Sequence, residues 1–161
     1  MANTLFDLIR VDSFMDDINR EDCFDTRDMD GVTPNYKIVL ASACASNIDD
    51  CIDEDGTLIT PYDPDTNKGV TLIDSLGVDD GMCSMLWSRG INGERTMSIA
   101  DSSVTYDLGS ETYNLRAVFL VNIADGTGYV IAYSISDKVV EIDGNPIFPV
   151  NGVIWTFKYG D

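Results

Sequence analysis

The sequence predicts a mainly β protein, an antiparallel β-sandwich or partly open barrel preceded by an N-terminal amphipathic helical arm. Its acids are 23 Asp against 5 Glu, a bias toward turns and loops, because Glu favours helices while Asp competes with helical backbone bonds. Period-two apolar alternation runs through residues 104 to 159, the mark of strands with one buried face. Residues 4 to 20 instead space their apolar side chains by three and four, the mark of a helix.

In that first stretch, "TLFDLIRVDSFMDDINR", Leu5, Leu8, Ile9, Val11, Phe14, Met15 and Ile18 form one stripe beside Asp7, Asp16, Asp17 and Arg20. Such an arm packs on its own domain or docks on a neighbouring subunit, and Leu5, Leu8, Ile9 and Phe14 are its candidate interface residues. "REDCFDTRDMDGVTP" follows as an acid-rich linker. The organisation expected is therefore arm and linker over residues 1–33 and one β domain over 34–161, a chain long enough to bury roughly two thirds of its unfolded surface.

"YKIVLASACA" suits a strand buried on both sides in its middle. "DDCIDEDGTLI" then raises the question of calcium. An EF-hand loop with Gly56 at position 6 would have Asp53 and Asp55 at positions 3 and 5, but Cys51 at position 1 and Tyr62 at position 12. Asp50 and Asp63 each lie one residue outside the required places. The stretch reads better as a tight Asp-Gly turn, and no metal site is assigned, with Asp50, Asp53, Asp55 and Asp63 as the only weak candidates. From 61 to 95 the pattern is less regular: "PYDPDTNKG" is loop, "VTLIDSLGV" is strand or short helix, and "GMCSMLWSRGING" is left unassigned.

"SVTYDL" is a strand with Val104, Tyr106 and Leu108 on one face. "YNLRAVFLVNI" and "YVIAYSIS", joined by "ADGTG", predict an antiparallel hairpin in which Tyr113, Leu115, Ala117, Phe119, Val121 and Ile123 face one way, with Tyr129, Ile131, Tyr133 and Ile135 aligned against them. "VVEIDGNPIFPV" suggests a second hairpin and "VIWTFKYG" a final strand. Phe119, Val121, Ile131, Tyr133, Trp155 and Phe157 are expected in one core. The opposite face of the hairpin, Val118, Leu120, Val130 and Ala132, is apolar too. The arm covers it or another subunit does, which makes Val118, Leu120 and Val130 interface candidates.

Charge and residue usage narrow the chemistry. Ten Lys+Arg against 28 Asp+Glu give a formal charge of −18, which repels phosphate backbones and anionic membrane surfaces. The absence of histidine removes Ser-His-Asp and Cys-His nucleophile pairs and the usual transition-metal ligand. Cys23, Cys44, Cys51 and Cys83 do not fall into a C-x-x-C pattern and are expected as reduced, mostly buried thiols. Asp7 interrupts what would be the apolar core of a signal peptide, and no apolar run approaches the length of a membrane span, so a cytosolic site of synthesis is expected. Phosphate-binding glycine loops and an E-x-K nuclease triplet are missing, and no acid pair stands out for glycoside hydrolysis. No catalytic residue and no cofactor are assigned, and the chain is not read as an enzyme.

The run "YDLGSETYNLRAVFLVNIADGTGYVIAYSISDKVVEIDGNPIFPVNGVIWTFKYG", residues 106 to 160 and about a third of the chain, resembles small β-structured virion proteins of tailed bacteriophages, particularly of gut Bacteroidales hosts. The likeness lies in the order "FLVN", "GTGYVIAY", "FPVNGVIWTF". It implies a capsid-associated, neck or tail component, present in multiple copies, whose partners are other virion proteins and which reaches the virion by assembly in the host cytoplasm. The alternative is a soluble β-sandwich binding module for calcium or carbohydrate.

Overall fold

The structure, a computed structural model, describes residues 9–10, 36–73, 81–83, 85–89, 95–99, 103–124, 127–144, 147–149 and 154–157. It is mainly β, and the helix among the described residues is a three-residue 3-10 turn, Ile48–Asp50. The strands are β1 (Ile9–Arg10), β2 (Tyr36–Cys44), β3 (Val70–Leu72), β4 (Met82–Cys83), β5 (Met85–Arg89), β6 (Arg95–Ile99), β7 (Ser103–Thr105), β8 (Thr112–Ala124), β9 (Thr127–Asp143), β10 (Ile147–Pro149) and β11 (Ile154–Phe157). The principal sheet has the order β1-β9-β8-β2-β3, with β4 also on β2, and every pairing in it is antiparallel. Two smaller groups pair β10 with β7 and order β11-β6-β5.

The hairpin expected from "YNLRAVFLVNI" and "YVIAYSIS" is β8 and β9, paired from Ala124↔Thr127 to Thr112↔Asp143 with register shifts between Leu120 and Val121 and between Leu115 and Ala117. Asp125-Gly126 joins them, a dipeptide suited to a two-residue reversal. β2 lies on the other side of β8, giving cross-strand rows of three. Val39, Phe119 and Tyr133 make one row, and Ala41, Ala117 and Ile135 its neighbour, on one face. On the opposite face the rows are Ile38, Leu120, Ala132 and Leu40, Val118, Ser134. Ile38, Leu40, Phe119, Leu120 and Ala132 are all at most 2% exposed. The sheet is thus buried on both faces, as the near-continuous apolar run of β2 predicts.

Two strands share the outer edge of β2. β4 pairs with Tyr36–Lys37 and β3 with Ala41–Cys44. Between them the Ile38 N–H donates to the Gly81 carbonyl at 2.8 Å, and the buried Tyr106 hydroxyl donates to the Ile38 carbonyl at 3.0 Å. A side chain distant in sequence therefore satisfies a backbone acceptor where no strand is available to do so.

Three expectations change. The first concerns parity along β9: Leu120 pairs with Ala132 but Val121 pairs with Val130, so Ile131 is the extra residue of a β-bulge. Val130 consequently belongs to the Phe119 and Val121 face, where it joins their core cluster, and not to the Leu120 face. Tyr129, opposite Asn122, passes to the other side. Second, residues 139–143 do not fold back on 147–149. Val140 and Ile142 instead continue β9 against Leu115 and Tyr113, while β10 pairs with β7; the long β8 partner outweighs the local Asp-Gly turn signal. Third, within the helix expected over 4–20, Ile9–Arg10 is extended and hydrogen-bonded to β9 at Tyr133 and Ala132. The rest of that arm, including Leu5, Leu8 and Phe14, and the linker through residue 35 lie outside the described residues, as do the side chains of Trp155 and Phe157.

Val118, Leu120 and Val130, expected as interface candidates, are 5%, 0% and 0% exposed within the single chain. The face carrying Val118 and Leu120 is filled intramolecularly, so neither side chain is presented to a partner. Phe119→Ala, removing a fully buried ring, is expected to cost about 3 to 5 kcal/mol in urea unfolding. Leu120→Asp should abolish the cooperative unfolding transition of the isolated protein, because it buries an unpaired carboxylate; wild-type unfolding of that variant would place the residue at a solvent-facing or intermolecular surface.

Candidate functional site

Between β2 and β3 the chain makes a long acid-rich excursion, residues 45–69, which carries the metal candidates and covers one face of the sheet. Its alternation of acid and apolar residues sorts by burial. Asp53, Glu54, Asp55, Asp63 and Asp65 are exposed. Ile48, Cys51, Ile52, Leu58 and Tyr62 turn inward, against a cluster that includes Ala41, Ala117, Phe119, Val121 and Val130. A loop with this composition reaches such an arrangement only if its backbone is paired, since each buried N–H and C=O needs a partner.

The pairing is extensive. Ala45 N–H donates to Gly69 O at 2.9 Å, Gly69 N–H to Asp50 O at 2.8 Å, Ile59 N–H to Cys51 O at 2.9 Å and Val70 N–H to Ile59 O at 2.7 Å. Gly69 sits at φ +88, and a Cβ there would meet the Pro61 carbonyl oxygen at 2.6 Å, so the close approach of two backbones requires glycine. Thr60-Pro61 is a cis peptide. The tip of the excursion is latched to the sheet: Val130 N–H donates to Gly56 O at 2.9 Å. This donor lies at the β9 bulge, where the ladder is interrupted.

Each metal candidate has a definite place. Asp53 Oδ1 accepts from the N–H groups of Asp55 at 3.0 Å and Thr57 at 2.9 Å, and its Oδ2 accepts from the Thr57 hydroxyl at 2.6 Å. Ile52 bridges to Leu58 across this turn, and Gly56 takes φ +86. The Thr57 hydroxyl and N–H, with the Asp55 and Gly56 N–H groups, hold the Asp53 carboxyl below its ordinary range. Asp63 closes a second turn, accepting from Asp65 N–H at 2.9 Å and from the Thr66 hydroxyl at 3.0 Å. Asp50 contributes its backbone carbonyl to Gly69, and Asp55 its N–H to Asp53. The four are thus distributed over two separate turns and a backbone contact. Among the described residues no group of three or more His, Cys, Asp or Glu is placed to hold a metal ion.

The root of the excursion has a pair of thiols, one in β2 and one in the excursion, that sequence spacing does not reveal. Cys44 ends β2 and Cys51 follows the 3-10 turn. Both are free and buried, and they share the cluster under the excursion. Cys51 Sγ also contacts Asn47 O at 3.4 Å and Ala45 O at 3.7 Å. The Cys51 thiol, helped by the Arg116 guanidinium, pulls the Cys44 thiol below its ordinary range against the effect of burial. The Cys44 thiol, together with burial, pushes Cys51 up. Arg116 is itself oriented by donating to the Ser136 carbonyl.

Among the described residues no helix is long and apolar enough to cross a membrane. Comparison with known proteins finds no matching family model, no similar curated protein and no similar solved structure.

Asp53 stabilises the fold as a carboxylate. A depressed folded-state value means that its contribution is fully present above about pH 4, the ordinary carboxylate range, and is lost as pH falls through the lowered value. Asp53→Asn should therefore be slightly less stable than wild type at pH 7 and converge with it in acid; the effect is small because the group is solvent-exposed. Isothermal titration with calcium should give no saturable micromolar binding. Such binding, abolished by Asp53→Ala and Asp55→Ala, would make the turn a cation site.

Proposed function

We propose that the protein is a structural virion component of a tailed bacteriophage, capsid-associated or in the neck or tail, which acts through protein-protein contacts and without catalysis. The observation that carries this reading is the outer edge of β9. β1 adds to β9 as a strand at Tyr133 and Ala132, on the side of β9 away from β8. Strand addition at a sheet edge is a general means of joining chains. The contact that exists there comes from near the start of the chain, the segment expected to dock as an arm.

Other features agree. The hairpin that carries the resemblance to phage virion proteins is β8 and β9, the centre of the sheet. Burial of both faces supports a layered, sandwich-like architecture. A charge of −18 suits a position away from packaged DNA, so the partners are other virion proteins and further copies of this chain, assembled in the host cytoplasm. The competing reading, a soluble β-sandwich module binding calcium or carbohydrate, draws on the exposed acids of the excursion. It is weaker because Asp53 and Asp63 already use their carboxylate oxygens to close their own turns.

Mass spectrometry of purified particles should detect the chain in multiple copies. Deleting residues 4–20 should leave the β circular dichroism and the cooperative unfolding of the remaining domain in place, while sharply reducing incorporation into particles. A chain missing from particles, or an arm-deleted form incorporated as well as wild type, would refute the assembly reading.

A further inference from the structure

Cys44 and Cys51 share one core cluster, and the Cys51 sulfur lies 3.7 Å from the carbonyl oxygen of Ala45, the residue after Cys44. Cys44 is held in the ladder opposite Val70. Cys51 donates its N–H to Ile48 O at 2.9 Å and accepts from Ile59 N–H at 2.9 Å. Neither residue can drift without breaking the root of the excursion. Both are buried, Cys51 at 0% and Cys44 at 6% exposure, so Cys44 is the less enclosed of the two. The Arg116 guanidinium acts on Cys44 as well. A guanidinium and a second thiol beside the less buried sulfur is the arrangement of an attacking and a resolving cysteine.

We propose that Cys44 and Cys51 form a reversible dithiol-disulfide site, which on reaction with a small-molecule disulfide ties the end of β2 to the root of the acidic excursion. Cys44, as the thiolate, attacks one sulfur of the small disulfide. That S–S bond breaks, a mixed disulfide forms on Cys44, and the first small thiolate leaves and takes up the proton given up by Cys44. Cys51 then loses its proton to solvent and attacks the Cys44 sulfur. The Cys44–Cys51 bond forms, and the second small thiolate leaves and is protonated. Two protein thiols are oxidised and one small disulfide is reduced to two thiols, with no other reactant. Arg116 is a positioning residue in this scheme, acting through the Cys44 thiolate. The covalent tie closes the segment 45–50, so the excursion is anchored at its root by a bond and at its tip by Val130 and Gly56.

The test uses the native full-length chain carrying Cys23→Ser and Cys83→Ser, treated with oxidised glutathione, quenched by alkylation and mapped by peptide mass spectrometry. The expected product is an intramolecular Cys44–Cys51 disulfide without retained glutathione, reversed by dithiothreitol. Adding Cys51→Ser should trap glutathione on Cys44. Mapping the same peptides in the wild-type chain covers the case in which the serine background fails to fold. Two results would overturn the proposal: thiols that react only after denaturant is added, or glutathione that persists on Cys44 while Cys51 is present.

Discussion

The step in register at Ile131 controls how the sheet is covered. Without it, strict alternation along β9 would set Ile131 beside Tyr133 against the Phe119 row and send Val130 to the side of Leu120. With Ile131 as the extra, still buried residue, Val130 stands opposite Val121 and joins the cluster of Ala117, Phe119 and Val121. The same step interrupts the ladder beside the Val130 N–H, which finds its acceptor in the Gly56 carbonyl. One irregularity therefore supplies both an apolar side chain to the face and the hydrogen bond that holds a cover over it.

That cover is an acid-rich loop, a composition expected to be solvated and mobile. Its order comes from backbone bonds at both ends and from turns closed by its own carboxylates, Asp53 and Asp63. The acids serve twice: their oxygens organise the turns, and their charge keeps the outer surface wet while Ile48, Ile52, Leu58 and Tyr62 face the sheet. The thiol pair lies where the excursion leaves β2.

The contact proposed for assembly and the cover occupy different parts of the same sheet. The excursion closes the Phe119 face, whereas the contact with the start of the chain is made in the plane, at Tyr133 and Ala132 on the edge of β9. A docking contact built on backbone groups at an edge does not require an exposed apolar face, which resolves the difficulty posed by Val118 and Leu120. Those side chains are apolar because they are interior.

Local sequence determined the β character, the hairpin of β8 and β9, the two-sided burial of β2 and the tight turn at Gly56. These follow from period-two alternation, a continuous apolar run and Asp-Gly chemistry, all legible within a few residues. Parity and partner choice are not local. The bulge at Ile131 leaves no mark in "YVIAYSIS", where every residue between Tyr129 and Tyr133 is apolar or small and either register looks sound. Asp125-Gly126 and Asp143-Gly144 carry the same turn signal, yet β9 folds back on β8 at the first while at the second β10 leaves to pair with β7. Cys44 and Cys51 meet because the 3-10 turn and the Ile59 bond bring the chain back. In each case the deciding energy is that of a long-range pairing, buried area and a satisfied backbone group supplied by a distant segment, and only the tertiary structure contains that term.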